Sequence, residues 1–251
     1  MLATAALTLA LATAGPTVDN PYFPLPIGRQ WVYREGEQRV EVTVTDRTRR
    51  IANGVEARVV RDEVTLKGVP VEITDDYYAQ DAEGNVWYLG EATTEYEHGR
   101  PVSTEGSFEA GVDGARAGIA MPAHPKVGMR YRQEFYEGHA EDRAKIVSLR
   151  ERVKVPLKRY RNTLMTLDSN PLEPDVLEAK FYACGVGMVL AVDLSGGGDR
   201  EELSRLRQGR RPNQAKLSPP PTSSSTRPPP ANATVTSRFS CLEESRVPRF
   251  A

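Results

Sequence analysis

Apolar and polar residues alternate with a period of two through most of the first hundred positions, and this is the pattern of strands with one buried face. Val40, Val42 and Val44 alternate with Glu41, Thr43 and Thr45, and Val55, Ala57 and Val59 return after Asn53-Gly54, the strongest hairpin signal in the chain. Val69, Val71 and Ile73 continue the rhythm after the turn at Lys67-Gly68. Both faces then become polar or aromatic at Asp75, Asp76, Tyr77 and Tyr78. Asp81 to Asn85 forms a five-residue loop, after which Val86-Trp87-Tyr88-Leu89 pairs back antiparallel. The stretch from Thr74 to Gly99 reads as the centre of a meander that ends near Tyr96.

Before it, Asn20 to Pro26 is too rich in proline for a helix and is expected to lie extended against the first sheet, with Ile27 to Tyr33 as the opening strand. Residues 100–125 lose all periodicity among Gly106, Gly111, Gly114, Gly118, Pro122 and Pro125, which predicts a long ordered connection and a candidate rim over a binding surface. The rhythm resumes in Ala144, Ile146, Ser148 to Val155, Thr163 to Leu167, Val176 to Tyr182 and Val186 to Leu194, with Pro171 and Pro174 expected in the connections. Asp199 to Arg207 fits either a short helix capped by Asp199 or a terminal edge strand.

Two short matches tie the halves together. Ile27-Gly28-Arg29-Gln30-Trp31 has a counterpart in Val127-Gly128-Met129-Arg130-Tyr131, and Tyr77-Tyr78-Ala79 has one in Phe181-Tyr182-Ala183. They imply an internal repeat. The predicted fold is all-β: two related antiparallel meander sheets, curved or half-barrel-like, at 20–99 and 126–198, joined by the Gly/Pro loop 100–125.

The ends differ from the middle. Residues 1–14 are an uncharged Leu/Ala/Thr run closing on Ala12-Thr13-Ala14, which fits a signal peptide without its basic start and places the protein outside the cytoplasm, secreted or periplasmic. Residues 208–251 turn to Pro, Ser, Thr and Arg and are expected to be disordered, since they offer too little apolar surface to offset ordering. The net charge of −1 divides into −6 over residues 1–198 and +5 over 199–251. An acidic folded part excludes a nucleic-acid footprint, and no apolar run is long enough for a transmembrane helix. Of the two cysteines, Cys184 and Cys241, the second falls in the tail, so free thiols are expected in preference to a disulfide.

No catalytic set assembles from spacing. Gly-x-Ser-x-Gly and Ser-x-x-Lys are absent, and His98, His124 and His139 lack zinc spacing. The best metal candidate is the acidic turn with Glu134, Glu137, His139, Glu141 and Asp142, whose oxygens around Gly138 suit Ca²⁺. Paired carboxylates at Asp75, Asp76, Asp81 and Glu83 suit a glycosidase-like dyad less well. Trp31, Tyr78, Trp87 and Tyr96 are the candidate ligand surface for a lipid or other cell-envelope component, against the simpler role of core packing.

FPLPIGRQWVY, GNVWYLGE and FYACGVGMV resemble a group of exported bacterial β proteins and lipoproteins whose signature runs near F-P-L-x-x-G-x-x-W-x-Y. The resemblance spans roughly Asn20 to Asp193 and implies an antiparallel sheet similar to the half-barrels of lipoprotein carriers, with no catalytic residues to carry over. Cys184 stands where the group has proline. The leading expectation is therefore a non-catalytic exported protein that binds a hydrophobic or envelope ligand. The alternatives are a carboxylate-dependent extracytoplasmic hydrolase using Asp81, Glu137 and His139, and a metal-dependent binding module.

Overall fold

Nearly every alternating run is a strand in the computed structural model, which describes residues 16–208. In chain order they are β1 (Gln30–Glu35), β2 (Gln38–Arg50), β3 (Glu56–Leu66), β4 (Val69–Gln80), β5 (Val86–Glu97), β6 (Arg100–Ser103), β7 (Phe108–Glu109), β8 (Arg116–Met121), β9 (Arg130–Arg132), β10 (Glu134–Phe135), β11 (Arg143–Lys154), β12 (Arg159–Asn170), β13 (Glu173–Ala183), β14 (Gly187–Asp193) and β15 (Arg200–Arg207). No helix occurs among the described residues. The expectations for residues 1–14, for the tail beyond 208 and for Cys241 lie outside them.

All pairings are antiparallel and belong to one fifteen-stranded sheet, ordered β10-β8-β5-β4-β3-β2-β1-β15-β14-β13-β12-β11-β9. The two ends of that order are consecutive in the chain. β9 pairs with β11 through Tyr131↔Ala144, and after Gln133 the chain continues as β10, which pairs with β8 through Glu134↔Ala117. The sheet thus curls nearly into a barrel, an arrangement that leaves few strand edges unpaired. The two predicted meanders are contiguous arcs of this sheet, with β15 inserted between β1 and β14, rather than two sheets. β15 also decides the helix-or-strand alternative for Asp199 to Arg207 in favour of the strand. Pro174 lies at the start of β13, not in a connection.

The Gly/Pro-rich stretch 100–125 is wall. It supplies β6, β7 and β8, all paired to β5, and Ala110 N–H donates to the Leu89 carbonyl at 2.9 Å. A second apolar cluster of Ile51, Ala57, Val59, Tyr77, Leu89 and Ala110 is separate from the main core. The sequence match at Gly28 and Gly128 has a structural counterpart. Gly28 N–H donates to the Val44 carbonyl at 2.7 Å and Gly128 N–H to the Ile146 carbonyl at 2.8 Å, both with positive φ.

The N-terminal segment crosses one end of the barrel. The Asn20 amide donates to the carbonyls of Gly84 and Pro122 at 3.0 and 3.1 Å, while Gly185 N–H donates to the Pro21 carbonyl at 2.7 Å. Val18 and Leu25 enter the main core with Trp31, Tyr33, Leu164 and Leu203. Because Asn20 is 2% exposed, Asn20→Ala leaves two carbonyls without their donor, that of Pro122 buried and that of Gly84 half-buried. Urea unfolding is expected to show a loss of about 2–3 kcal/mol, and an unchanged midpoint would mean the segment does not seal that end.

Candidate functional site

The barrel holds a cavity of about 560 Å³, partly open to solvent, whose lining is aromatic in one part and acidic in another. Nearest the N-terminal plug it is apolar and aromatic, with Phe23, Leu25, Trp31, Tyr33, Tyr78 and Tyr88. These rings are fixed. Trp31 Nε1 donates to the Val186 carbonyl at 2.8 Å, the Tyr33 hydroxyl donates to the Met188 carbonyl at 3.1 Å, and Tyr78 stacks on Tyr88 with centroids 5.0 Å apart.

Farther along the same strands the inward positions become acidic. Asp62, Asp76, Glu91, Glu134, Asp142, Glu178 and Glu201 all line the cavity, against the single cation Lys180. Three features of the sheet bring them together. Asp62 follows Val60 on the inward side of β3, and Asp76 precedes Tyr78 on that of β4. In β5 a bulge at Gly90 shifts the phase, so that Tyr88 pairs with Tyr78 and Glu91 with Asp76, and both face inward. Gly90 takes φ 135°, and a Cβ there would lie 2.2 Å from the Phe108 carbonyl oxygen, which reserves the bulge for glycine.

Burial and mutual repulsion shift these carboxyls toward the protonated form. The Tyr88 hydroxyl lies 2.7 Å from both Asp76 Oδ1 and Glu91 Oε2. One hydroxyl has one proton to give, so the two carboxyls compete for it, and a proton held by either would complete the set. Burial raises Asp76 well above the usual carboxylate range, with Asp62 adding to it, and burial raises Glu91 as well. Glu134 and Asp142 both line the cavity, and burial followed by the Asp142 charge pushes Glu134 up to about 8. Burial, with the neighbouring charges of Glu72 and Asp62 respectively, lifts Asp62 to about 7 and Glu201 to about 8.

Lys180 is committed. Its ammonium lies 3.1 Å from Glu178 and 3.4 Å from Asp168. Burial would lower its pKa, but those two carboxylates outweigh it and hold it well above the usual lysine value. The cavity therefore presents several carboxyl groups beyond what its own cation occupies.

The candidate residues separate on this frame. Trp31 and Tyr78 line the cavity; Trp87 and Tyr96 do not. Trp87 packs with the second cluster and donates its Nε1 to Asp81 Oδ2 at 2.8 Å, and Tyr96 pairs with Pro101 near the β5–β6 turn. Of the acidic turn, Glu134 and Asp142 point into the cavity, while Glu137 and His139 are exposed and His139 stacks on Tyr136. Glu141 accepts from Gly138 N–H at 3.3 Å. The five are not brought together, and among the described residues no three His, Cys, Asp or Glu side chains are grouped to hold a metal ion. Asp75 and Asp76 part by alternation: Asp75 is held by Arg47 at 2.7 and 3.0 Å, away from the cavity lining. Asp81 is tied into its own loop by Asn85 and Trp87. It does not approach Glu137 or His139 through any hydrogen bond. Cys184 is disulfide-bonded, a correction to the expected free thiol.

No protein-family model matches the sequence. No curated protein matches it either. Among solved structures the chain is similar to a Bacteroides fragilis protein provisionally described as exported, with a YmcC-like fold, at 13% identity and a TM-score of 0.43, covering 74% of this chain and 99% of that one. It is also similar to a Parabacteroides distasonis protein provisionally described as a lipoprotein, at 11% identity and a TM-score of 0.39, covering 76% of this chain and 99% of that one. Both likenesses are too distant to bear on what the cavity holds.

Proposed function

We propose that this chain is a non-catalytic binding protein that holds one amphipathic small molecule inside its barrel, and that it works outside the cytoplasm. The observation that carries the reading is the cavity of about 560 Å³, with fixed aromatic rings at one end and hydrogen-bonding groups at the other. Its size falls within the ~300–1,000 Å³ that small-molecule sites occupy. Apolar burial against Trp31, Tyr33, Tyr78 and Tyr88 would supply affinity, and the polar wall would fix orientation. The extracytoplasmic setting rests on the leader-like residues 1–14 and on the Cys184 disulfide, which persists in oxidising compartments.

The test uses the two tryptophans. Trp31 lines the cavity and Trp87 does not, so Trp87→Phe leaves one interior reporter. Titration with a medium-chain alcohol is expected to shift Trp31 emission and raise the melting midpoint by mass action. Emission and midpoint that ignore every apolar probe and envelope extract would overturn the reading.

A second reading, a carboxylate-dependent hydrolase, is favoured by one observation. Glu134 and Asp142 line the cavity side by side, and burial together with the Asp142 charge raises Glu134, the direction a general acid needs. Turnover of a bound ester or glycoside that Glu134→Gln abolishes would support it over simple binding.

A further inference from the structure

We propose that the molecule this cavity receives is an organic cation, an amine with an apolar body, whose ammonium group is held by Asp62 and the carboxyls around it while the body lies on the aromatic end. This rests on the binding reading above and names its ligand class.

Two independent observations carry it. The first is the imbalance of charge: seven carboxyl side chains line the cavity and Lys180 is the only cation among the lining residues. Lys180 is already engaged by Asp168 and Glu178. The second is an unused acceptor. The Asp62 side chain is half-buried and lines the cavity, yet its Oδ1 is shut off from solvent and has no hydrogen-bond partner. An enclosed carboxylate oxygen without a donor is costly, and it stays in a fold only when something else rewards it. Asp76 and Glu91 are tied to Tyr88, and Glu134 sits beside Asp142. Asp62 is the carboxyl with a free lone pair, and the Glu201 charge lies within reach of it.

The other ligand classes fit less well. An anion would meet a lining of carboxyls whose only cation, Lys180, is already engaged. A neutral lipid would leave Asp62 Oδ1 unpartnered. A metal ion needs three or more ligands at one point, and no such group exists among the described residues. An alkyl or aryl ammonium brings up to three donors for the acidic end and apolar surface for the rings.

The experiment compares three probes with one tail, octylamine, octanol and sodium octanoate, against the Trp87→Phe reporter by calorimetry and Trp31 emission at pH 8, with calcium chloride as a fourth arm. Octylamine is expected to bind about tenfold to a hundredfold tighter than octanol, octanoate to bind more weakly than either, and calcium not to bind. Asp62→Asn should bring octylamine down to the octanol affinity while octanol is unchanged. Glu201→Gln, farther from the free lone pair, serves as the second variant if Asp62→Asn does not fold, and it should lower octylamine affinity alone. Equal binding of all three probes leaves the binding reading standing and removes the cation inference. Calcium binding that displaces octylamine also removes it, in favour of a metal site. No binding of any probe removes both.

Discussion

Gly118→Val is expected to cost about 4 kcal/mol or more and to leave little folded protein at 37 °C. Gly118 sits on β8, where the first arc of the sheet meets the last. A Cβ placed there would lie 2.2 Å from both the carbonyl carbon and the oxygen of Gln133 and 2.6 Å from Glu134 N. Those are backbone atoms of the seam, so no rotamer change relieves the overlap, and the β8 pairings Ala117↔Glu134 and Arg116↔Phe135 must separate. Separation exposes strand edges and opens the cavity wall beside Glu134. Gly99→Ala provides the contrast. It has φ 74° with open space around it, so only the backbone term of about 1 kcal/mol is lost. Urea midpoints for the two variants decide the matter: a Gly118→Val protein as stable as Gly99→Ala would mean that β8 and β10 do not meet.

That seam was not legible in the sequence, and the reason is physical. Alternation reports which side of a strand is buried, but it does not say which strands meet after a dozen turns. The strand spans of β2 to β5 and β11 to β14 followed from alternation and turn chemistry, as Asn53-Gly54 and Lys67-Gly68 show. β6 to β10 are two to six residues long and interrupted by glycine and proline, too short to show a period. The resemblance to half-barrel carriers pointed at a curved sheet; curvature this strong came from pairings far apart in the chain.

The cavity was partly legible. Val40, Val42, Val60 and Val64 define an inward phase into which Asp62 falls, so a charge in the apolar phase of β3 was a readable signal. The same holds for Lys180 and Glu178, which continue the phase of Tyr182 in β13. Glu91 was hidden. Simple alternation from Tyr88 puts Gly90 and Ala92 inward, and only the bulge turns Glu91 to the cavity. Trp87 and Tyr96 lie outside this cavity for the opposite reason: an aromatic residue is conspicuous in composition whichever face it takes, and Trp87 packs with the second cluster.

The protein is expected to melt at higher temperature at pH 5.5 than at pH 9, by roughly 10 °C, against the usual trend of acid destabilisation. Asp62 is lifted to about 7, and Glu134 and Glu201 to about 8, above the ~4 that such groups have in an unfolded chain. The folded state therefore holds protons that the unfolded state has released, and stability falls as pH rises from about 4 through 8. One group shifted by three units corresponds to about 4 kcal/mol. The three share their neighbours' charges and do not add fully, so about 4–6 kcal/mol is lost by pH 9, or roughly 10–20 °C for a chain of this size. Asp75, Asp81 and Asp193 are shifted down instead, so their contribution disappears only below about pH 4, outside this window. The triple variant Asp62→Asn, Glu134→Gln, Glu201→Gln keeps shape and removes these three titrations, leaving Asp76 and Glu91, so its melting point should fall less between pH 5.5 and 9 than the parent's and should exceed the parent's at pH 9. Stability gained by neutralising a site is what a binding site predicts, since an unpaired acidic wall persists at a cost that only its occupant offsets. A parent protein that melts lower at pH 5.5 than at pH 9 would mean these carboxyls face water, and the acidic cavity would lose its basis.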